Sequence, residues 1–207
     1  MRSTTSTYKL NLSVHNNNAF YYGLNSSVNF RPITILLSEE KHIFIGNDVL
    51  FSFDIWIRNS DPHLIYSANT KKRINPTKSV FIGDHVWIGQ NALILKGTQI
   101  SSGSIIGANS VVAGKKISSN TIWAGNPVKK ISEDIFWSRE AVHGWTDLET
   151  KKYEKMETDK FIFKYDPKVH LPFDMIDEHL TRCKTADKKL KYLMKISSVD
   201  AHNRFAF

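Results

Sequence analysis

Cysteine is almost missing from this sequence. Cys183 is the only one in 207 residues, so no intrachain disulfide can hold the fold, and a reducing, cytoplasmic compartment is expected. No stretch approaches the ~18 uninterrupted apolar residues of a membrane span, and the start, Met1 to Thr5, lacks the apolar core of a signal peptide. No transmembrane segment is therefore expected. Only 10 glycines and 6 prolines argue against a collagen-like or low-complexity chain. What is present is 41% apolar residues and 12% aromatics, enough for a real core, in a length that suits one main domain with an appendage.

The chain carries 28 Lys and Arg against 20 Asp and Glu, a net charge of +8. Residues 1–128 hold 12 basic and 6 acidic side chains, and residues 129–207 hold 16 and 14. The tail is charge-dense but nearly balanced, so the excess belongs to the first part and points to an anionic partner there. A nucleic acid is not expected as that partner, because no recognition module accompanies the charge.

That first part is periodic. Branched apolar residues recur every six positions at Ile82, Ile88, Ile94, Ile100, Ile106 and Val112, and small or β-branched residues follow four positions later at Val86, Ala92, Thr98, Ser104 and Ser110. A helical period of about 3.6 cannot produce a step of six. Six residues supply one short strand and one corner, so three hexads close a triangular coil whose neighbours pair backbone to backbone about 4.8 Å apart. The register extends upstream to Ile45, Phe51 and Ile57, and returns downstream, shifted by one residue, at Ile117 and Trp123.

The predicted architecture is mostly β: a parallel β-helix over residues 33–131, with residues 58–81 thrown out as a protruding loop. Residues 1–32, where Tyr8, Leu10, Leu12 and Val14 alternate with polar residues, are expected to form a strand and cap. Residues 132–207 are expected to form a mixed, partly helical appendage, with Ser132 capping a short helix through Trp137, a helix from Phe173 to about Cys183, and another capped by Thr185. Packing or oligomer support is the expected role of this tail.

Within the loop stands Ser60-Asp61-Pro62-His63. A neutral imidazole can accept the proton of an alcohol attacking a carbonyl, which makes His63 a candidate general base. Four hexads separate it from Trp87, a spacing expected to bring the loop base back near the coil edge that carries the tryptophan.

Three stretches, Ile82-Gly83-Asp84-His85-Val86-Trp87-Ile88-Gly89, Ile105 to Val112, and Trp123-Ala124-Gly125-Asn126-Pro127-Val128-Lys129, resemble the hexapeptide-repeat acyltransferases. With the Asp61-Pro62-His63 and Arg73-Ile74-Asn75-Pro76 contexts, the chain looks closest to the bacterial O-acetyltransferases of capsular polysaccharide, including those acting on sialic acid. The resemblance implies a left-handed β-helix, a homotrimer with its sites between subunits, acetyl-coenzyme A as donor, and a sugar hydroxyl as acceptor. It implies that His63 is the base and that the indole of Trp87 stabilises the leaving sulfur. The donor would run past Gln90, Ala108 and Ala113, with Lys115, Lys116 and Lys129 at its phosphates. Lys71, Lys72 and Arg73, clustered in the loop of His63, are the expected acceptor-binding residues for an acidic sugar such as polysialic acid.

Three other readings stay in view. An amino sugar or nucleotide sugar could replace the hydroxyl acceptor, or the repeat could be a non-catalytic binding module. The γ-type carbonic anhydrases share the coil, but they hold zinc through histidines of which two lie five positions apart, and no histidine pair here has that spacing. No metal is expected.

Overall fold

The computed structural model describes residues 9–29 and 31–207; Tyr8 and the Met1–Thr5 start lie outside them. Five coils stack into a three-sided prism. Its first face is β1 (Leu10–Ser13), β4 (Ile33–Leu36), β7 (Trp56–Arg58), β10 (Leu93–Leu95) and β13 (Val111–Ala113). The second is β2 (Phe20–Tyr22), β5 (Ile43–Ile45), β8 (Val80–Ile82), β11 (Gln99–Ile100) and β14 (Lys116–Ile117). The third is β3 (Ser27–Val28), β6 (Leu50–Phe51), β9 (Trp87–Ile88), β12 (Ile105–Ile106) and β15 (Ile122–Ala124), closed by the antiparallel β16 (Lys129–Ser132).

The hexad positions are the inward columns. Ile35, Ile57, Ile94 and Val112 stack on the first face, Ile45, Ile82, Ile100 and Ile117 on the second, and Phe51, Ile88 and Ile106 on the third, all fully buried. The shift at Ile117 is a step of five positions instead of six after Val112, and Ile117 still stands in register with Ile100. Hydroxyls of the small column bond the backbone of the next coil: Thr98 Oγ1 donates to the Val112 carbonyl (3.1 Å), Ser104 Oγ to that of Ser118 (2.8 Å), and Ser110 Oγ accepts from the Gly125 N–H (3.0 Å). At the turn after the second face the coils touch so closely that a Cβ on Gly46 would lie 2.6 Å from the Gly83 backbone, a space that only glycine leaves open.

The N-terminal segment is more than a cap. β1, β2 and β3 pair in parallel with β4, β5 and β6, so residues 10–28 form a complete first coil. Its strands sit 23 positions before their partners, because longer corners break the six-residue step that made the later coils legible.

The expected helix from Ser132 to Trp137 is absent. Lys129–Ser132 instead pairs antiparallel with β15, giving the last coil a partner for its backbone. The two later helices form as read: α2 (Phe173–Arg182) after a short α1 (Asp147–Lys152), and α3 (Ala186–Ser197) capped by Thr185, whose side chain accepts from the Lys188 N–H. Phe173, Ile176 and Leu180 of α2 and Leu193 and Ile196 of α3 pack with Phe205 over Phe44 and Phe81, the outward residues of the second face. The appendage thus covers one of the three faces.

The chain end locks this arrangement. Buried Arg204 bonds both carboxylate oxygens of Asp84 (2.7 and 2.8 Å), and the Phe205 carbonyl accepts from the Ser102 N–H (3.2 Å). Removing one partner of such a pair leaves a buried charge and costs about 3–5 kcal/mol.

His42, fully buried between β5 and the first coil, accepts the Ala19 N–H at Nδ1 (3.1 Å), and its Nε2 has no partner among the described residues. Burial, helped by Lys189 and Lys41, lowers its pKa to about 3, so the folded ring is neutral while the unfolded ring gains a proton below about 6.5. The stability that depends on this ring is complete above pH 6.5 and is lost as pH falls from there toward 3, by about 1.4 kcal/mol per pH unit. In urea unfolding between pH 7 and 4, His42→Gln, whose amide oxygen can still accept from Ala19, is expected to lose less stability than the wild type; an equal loss would remove His42 from the acid response.

Candidate active site

The loop leaves the prism after β7 and returns at β8, at the edge between the first and second faces. It is short of apolar packing, with Leu64, Ile65, Tyr66 and Ile74 all exposed, so polar contacts must fix its shape. Asn75 is their hub. Its Oδ1 accepts from the Ile65 N–H (2.9 Å) and from Arg73 Nε (3.2 Å), while its Nδ2 donates to Asp61 Oδ2 (3.0 Å) and to the His63 carbonyl (2.8 Å). The backbone of His63 is thereby pinned and its ring is left facing solvent.

Asp61 does not reach the imidazole. Its Oδ2 is taken by Lys96 Nζ (2.5 Å) and Asn75, which hold its carboxyl below its ordinary range. Asp61 therefore shapes the loop from the prism wall. Arg73, expected at the acceptor, is also engaged: its guanidinium forks onto Glu39 (2.6 and 2.9 Å), and this pair, together with a hydrogen bond from Thr77, brings the Glu39 carboxyl down to about 2. Lys71 and Lys72 stay exposed at the loop tip.

Trp87 lies elsewhere. Its strand belongs to the third face, whereas the loop springs from the edge opposite that face, so one prism separates His63 from Trp87. The four-hexad spacing misled because the loop interrupts the coil one strand and one corner before β9 begins. The expected donor residues divide in the same way. Gln90 and Ala108 stand at the edge between the third and first faces, while Ala113, Lys115 and Lys116 stand at the loop edge. Lys129 lies opposite Ala124 on β16. Ala108, Ala113, Lys115 and Lys129 are exposed, and Lys116 pairs with Asp174 of α2 (2.8 Å). A groove of about 440 Å³ runs along the loop edge between Asp61, Ile74, Lys78, Leu95, Lys96 and Ala113.

Around Trp87 the structure gives a place to His85, which stood in a quoted stretch without a role, and to residues of the appendage. His85 takes the left-handed conformation (φ 51°) in a corner column whose other members are Asn25, Asp48, Gly103 and Asn120, residues that adopt it readily. Its ring is buried between Trp137 (4.0 Å) and Phe161 (4.7 Å), with Nδ1 2.5 Å from Asp48 Oδ2 and Nε2 2.9 Å from the Trp137 carbonyl. Burial alone would raise the Asp48 carboxyl, but the His85 hydrogen bond and Arg139 outweigh it and hold it below its ordinary value. Trp137 then meets the Trp87 ring at 5.9 Å, and the Trp87 indole N–H points to Ser52 Oγ at 3.4 Å.

The family of bacterial transferase hexapeptide repeats (six repeats) matches residues 79–114. A polysialic acid O-acetyltransferase of Escherichia coli O1:K1 / APEC is 36% identical over 134 residues, 65% of this chain and 40% of that one. Another, of Neisseria meningitidis, is 37% identical over 109 residues, 53% of this chain and 51% of that one. Among solved structures, the polysialic acid O-acetyltransferase OatWY superposes with a TM-score of 0.52 at 31% identity, over 67% of this chain and 71% of that chain. The chain belongs to the hexapeptide-repeat acyltransferases. Its prism is the left-handed parallel β-helix of that family. The chain spans between two-fifths and about half of the length of these two curated relatives.

The loop geometry makes Asn75 the residue to test. Asn75→Ala removes four hydrogen bonds at once and is expected to raise amide exchange across residues 61–75 at least tenfold, while exchange in the inward columns stays unchanged. Unaltered exchange in the loop would mean that the Asp61 and Arg73 ion pairs suffice.

Proposed function

We propose that the protein is an O-acetyltransferase that moves acetyl from acetyl-coenzyme A to a hydroxyl of an acidic sugar or capsular polysaccharide, with polysialic acid as the model acceptor. The similarity to two polysialic acid O-acetyltransferases supports the substrate class. The single observation that carries the mechanism is the placement of the His63 loop on the edge opposite the face of Trp87. A site using both is then built from two copies.

Among the described residues, two faces are left uncovered and can meet another copy. The second face is covered by α2 and α3, whereas the first carries Trp56, Leu93 and Val111 outward and the third carries Leu50, Trp87, Ile105 and Ile122. Trp56 and Trp87 are 47% and 37% exposed, more apolar surface than a working monomer needs to show water. A homotrimer closed by a three-fold axis sets the loop edge of each copy against the third face of the next, three times over. It also brings Ala113 and Lys115 of one copy near Gln90 and Ala108 of another, so that the divided donor residues form one groove.

In that site His63 takes the proton of the acceptor hydroxyl as its oxygen attacks the thioester carbonyl. A backbone N–H at Gln90 faces the developing oxyanion, and the Trp87 indole N–H donates to the departing sulfur. The thiolate is a good leaving group near neutral pH, so no strong acid is required. Exposed Lys115 and Lys129 serve the donor phosphates, and Lys71 and Lys72 draw in the polyanion. We place the reaction in the cytoplasm, which the lone buried Cys183 fits; among the described residues no helix is long and apolar enough to cross a membrane.

His63→Ala is expected to lower turnover by ~10²-fold or more at saturating acceptor with the fold intact. Retention of a tenth of wild-type turnover would rule out this base. The shared site has its own test, because mixing separately inactive subunits can rebuild it. Co-refolding equal amounts of His63→Ala and Trp87→Ala should restore about a quarter of wild-type activity, the chance that a site draws its loop and its tryptophan from suitable copies. No recovery above the two parents, with mixed trimers shown by native mass spectrometry, would place both residues' work within one copy.

A further inference from the structure

We propose that Arg58 recognises the acid group of the acceptor, a carboxylate-bearing sugar, at the base of the loop; this deepens the acceptor reading above and rests on it. Arg58 is the last residue of β7, five positions before His63. Alternation along the strand buries Ile57 in the prism and turns Arg58 outward onto the first face, beside Leu36 on one side and one position past the Ile57–Ile94 pair on the other, at the end of β10 where Leu95 walls the loop-edge groove.

Two of the cations at the loop edge already have carboxylates: Arg73 holds Glu39 and Lys96 holds Asp61, while Lys78 has no ion pair among the described residues and lies exposed. Arg58 has no ion pair among the described residues, and its Nε is buried with no hydrogen-bond partner. Asp61 is near enough for the Arg58 charge to help lower its carboxyl, but Lys96 and Asn75 occupy the oxygen it offers. A buried N–H without an acceptor is a cost that folded proteins rarely carry and marks Arg58 as a side chain whose polar partners are not all supplied by the chain; Nε is closed to solvent, so an incoming carboxylate would meet the two terminal nitrogens, whose donors match its two oxygens. Lys71 and Lys72, exposed on flexible stems, can attract any anion. Arg58, fixed between strands at the foot of the loop, can orient one, and so choose which hydroxyl of an acidic sugar meets His63.

The test compares an oligomer of sialic acid with its carboxyl methyl ester as acceptors, in the wild-type trimer and in Arg58→Ala and Arg58→Lys. The wild type is expected to prefer the acid by kcat/KM. Arg58→Ala should reduce that preference by about ten- to a hundredfold, through the acceptor KM, with Arg58→Lys recovering only part of it. The donor KM and the trimer mass by light scattering should not move. Three results overturn the inference: an unchanged acid preference, a rise confined to the donor KM, which would assign Arg58 to donor phosphate, or dissociation of the trimer, which would assign it to a carboxylate of the next copy. A wild type that acetylates only neutral sugars defeats the acidic-acceptor reading itself and takes this inference with it, an outcome visible before any variant is made.

Discussion

The inward columns of branched side chains are the constraint on which the rest of the molecule depends. Each strand of the prism is only two to four residues long, too short to be stable alone, and becomes ordered because its neighbours above and below supply both backbone partners and apolar contact. Moving a residue by one position would turn Ile57 or Ile94 to solvent, so the register is set by burial and cannot slip. That rigidity lets the loop and the outward tryptophan hold fixed positions tens of residues apart in sequence. It also prevents one prism from bringing them together.

The parts of this fold that could be read from sequence are those whose information is local. Six-residue steps from Ile82 to Val112 need no knowledge of partners, and Thr185 before a helical run is a signal of the same kind. The first coil escaped because its corners vary in length, although Leu12, Tyr22 and Val28 take register positions beside Ile35, Ile45 and Phe51. β16 escaped because its cause lies in β15, whose free edge required a partner, and nothing between Lys129 and Ser132 records that need. Helix α3 was legible as an element but not in its orientation: Leu190 and Met194 fit helical spacing yet are exposed, while Lys189 is buried and bonds the Asn17 carbonyl.

The candidate site is proposed from sequence through the family resemblance, which assigns roles to His63 and Trp87, but the hub of the loop, Asn75, stood in a quoted motif without a role. Its four hydrogen bonds depend on a chain reversal that spacing does not encode. His85 was hidden for a different reason. Its left-handed corner is one that histidine tolerates, and its surroundings come from distant segments: Trp137 and Phe161 stack on the ring and Asp48 bonds it. The tail and the coil meet at that point, two residues before Trp87.

Charge shows most clearly why counting falls short of placement. The excess of basic residues in the first 128 positions pointed to an anionic partner, and the cluster of Lys71, Lys72 and Arg73 was the natural place to seat it. Folding pairs Arg73 with Glu39, Lys96 with Asp61 and Lys116 with Asp174, so these cations build the loop and dock the appendage instead of projecting a field. What remains near the base is uneven in kind. Exposed lysines at the loop tip act over roughly a Debye length of ~8 Å and lose influence as salt rises, so they govern encounter. A guanidinium set between strands, part of it already out of water, loses less to salt and acts at contact distance. The same net charge therefore separates into exposed cations that act at long range and one that acts at contact distance, and in the proposed site only the second kind would bear on which hydroxyl of an acidic sugar faces His63.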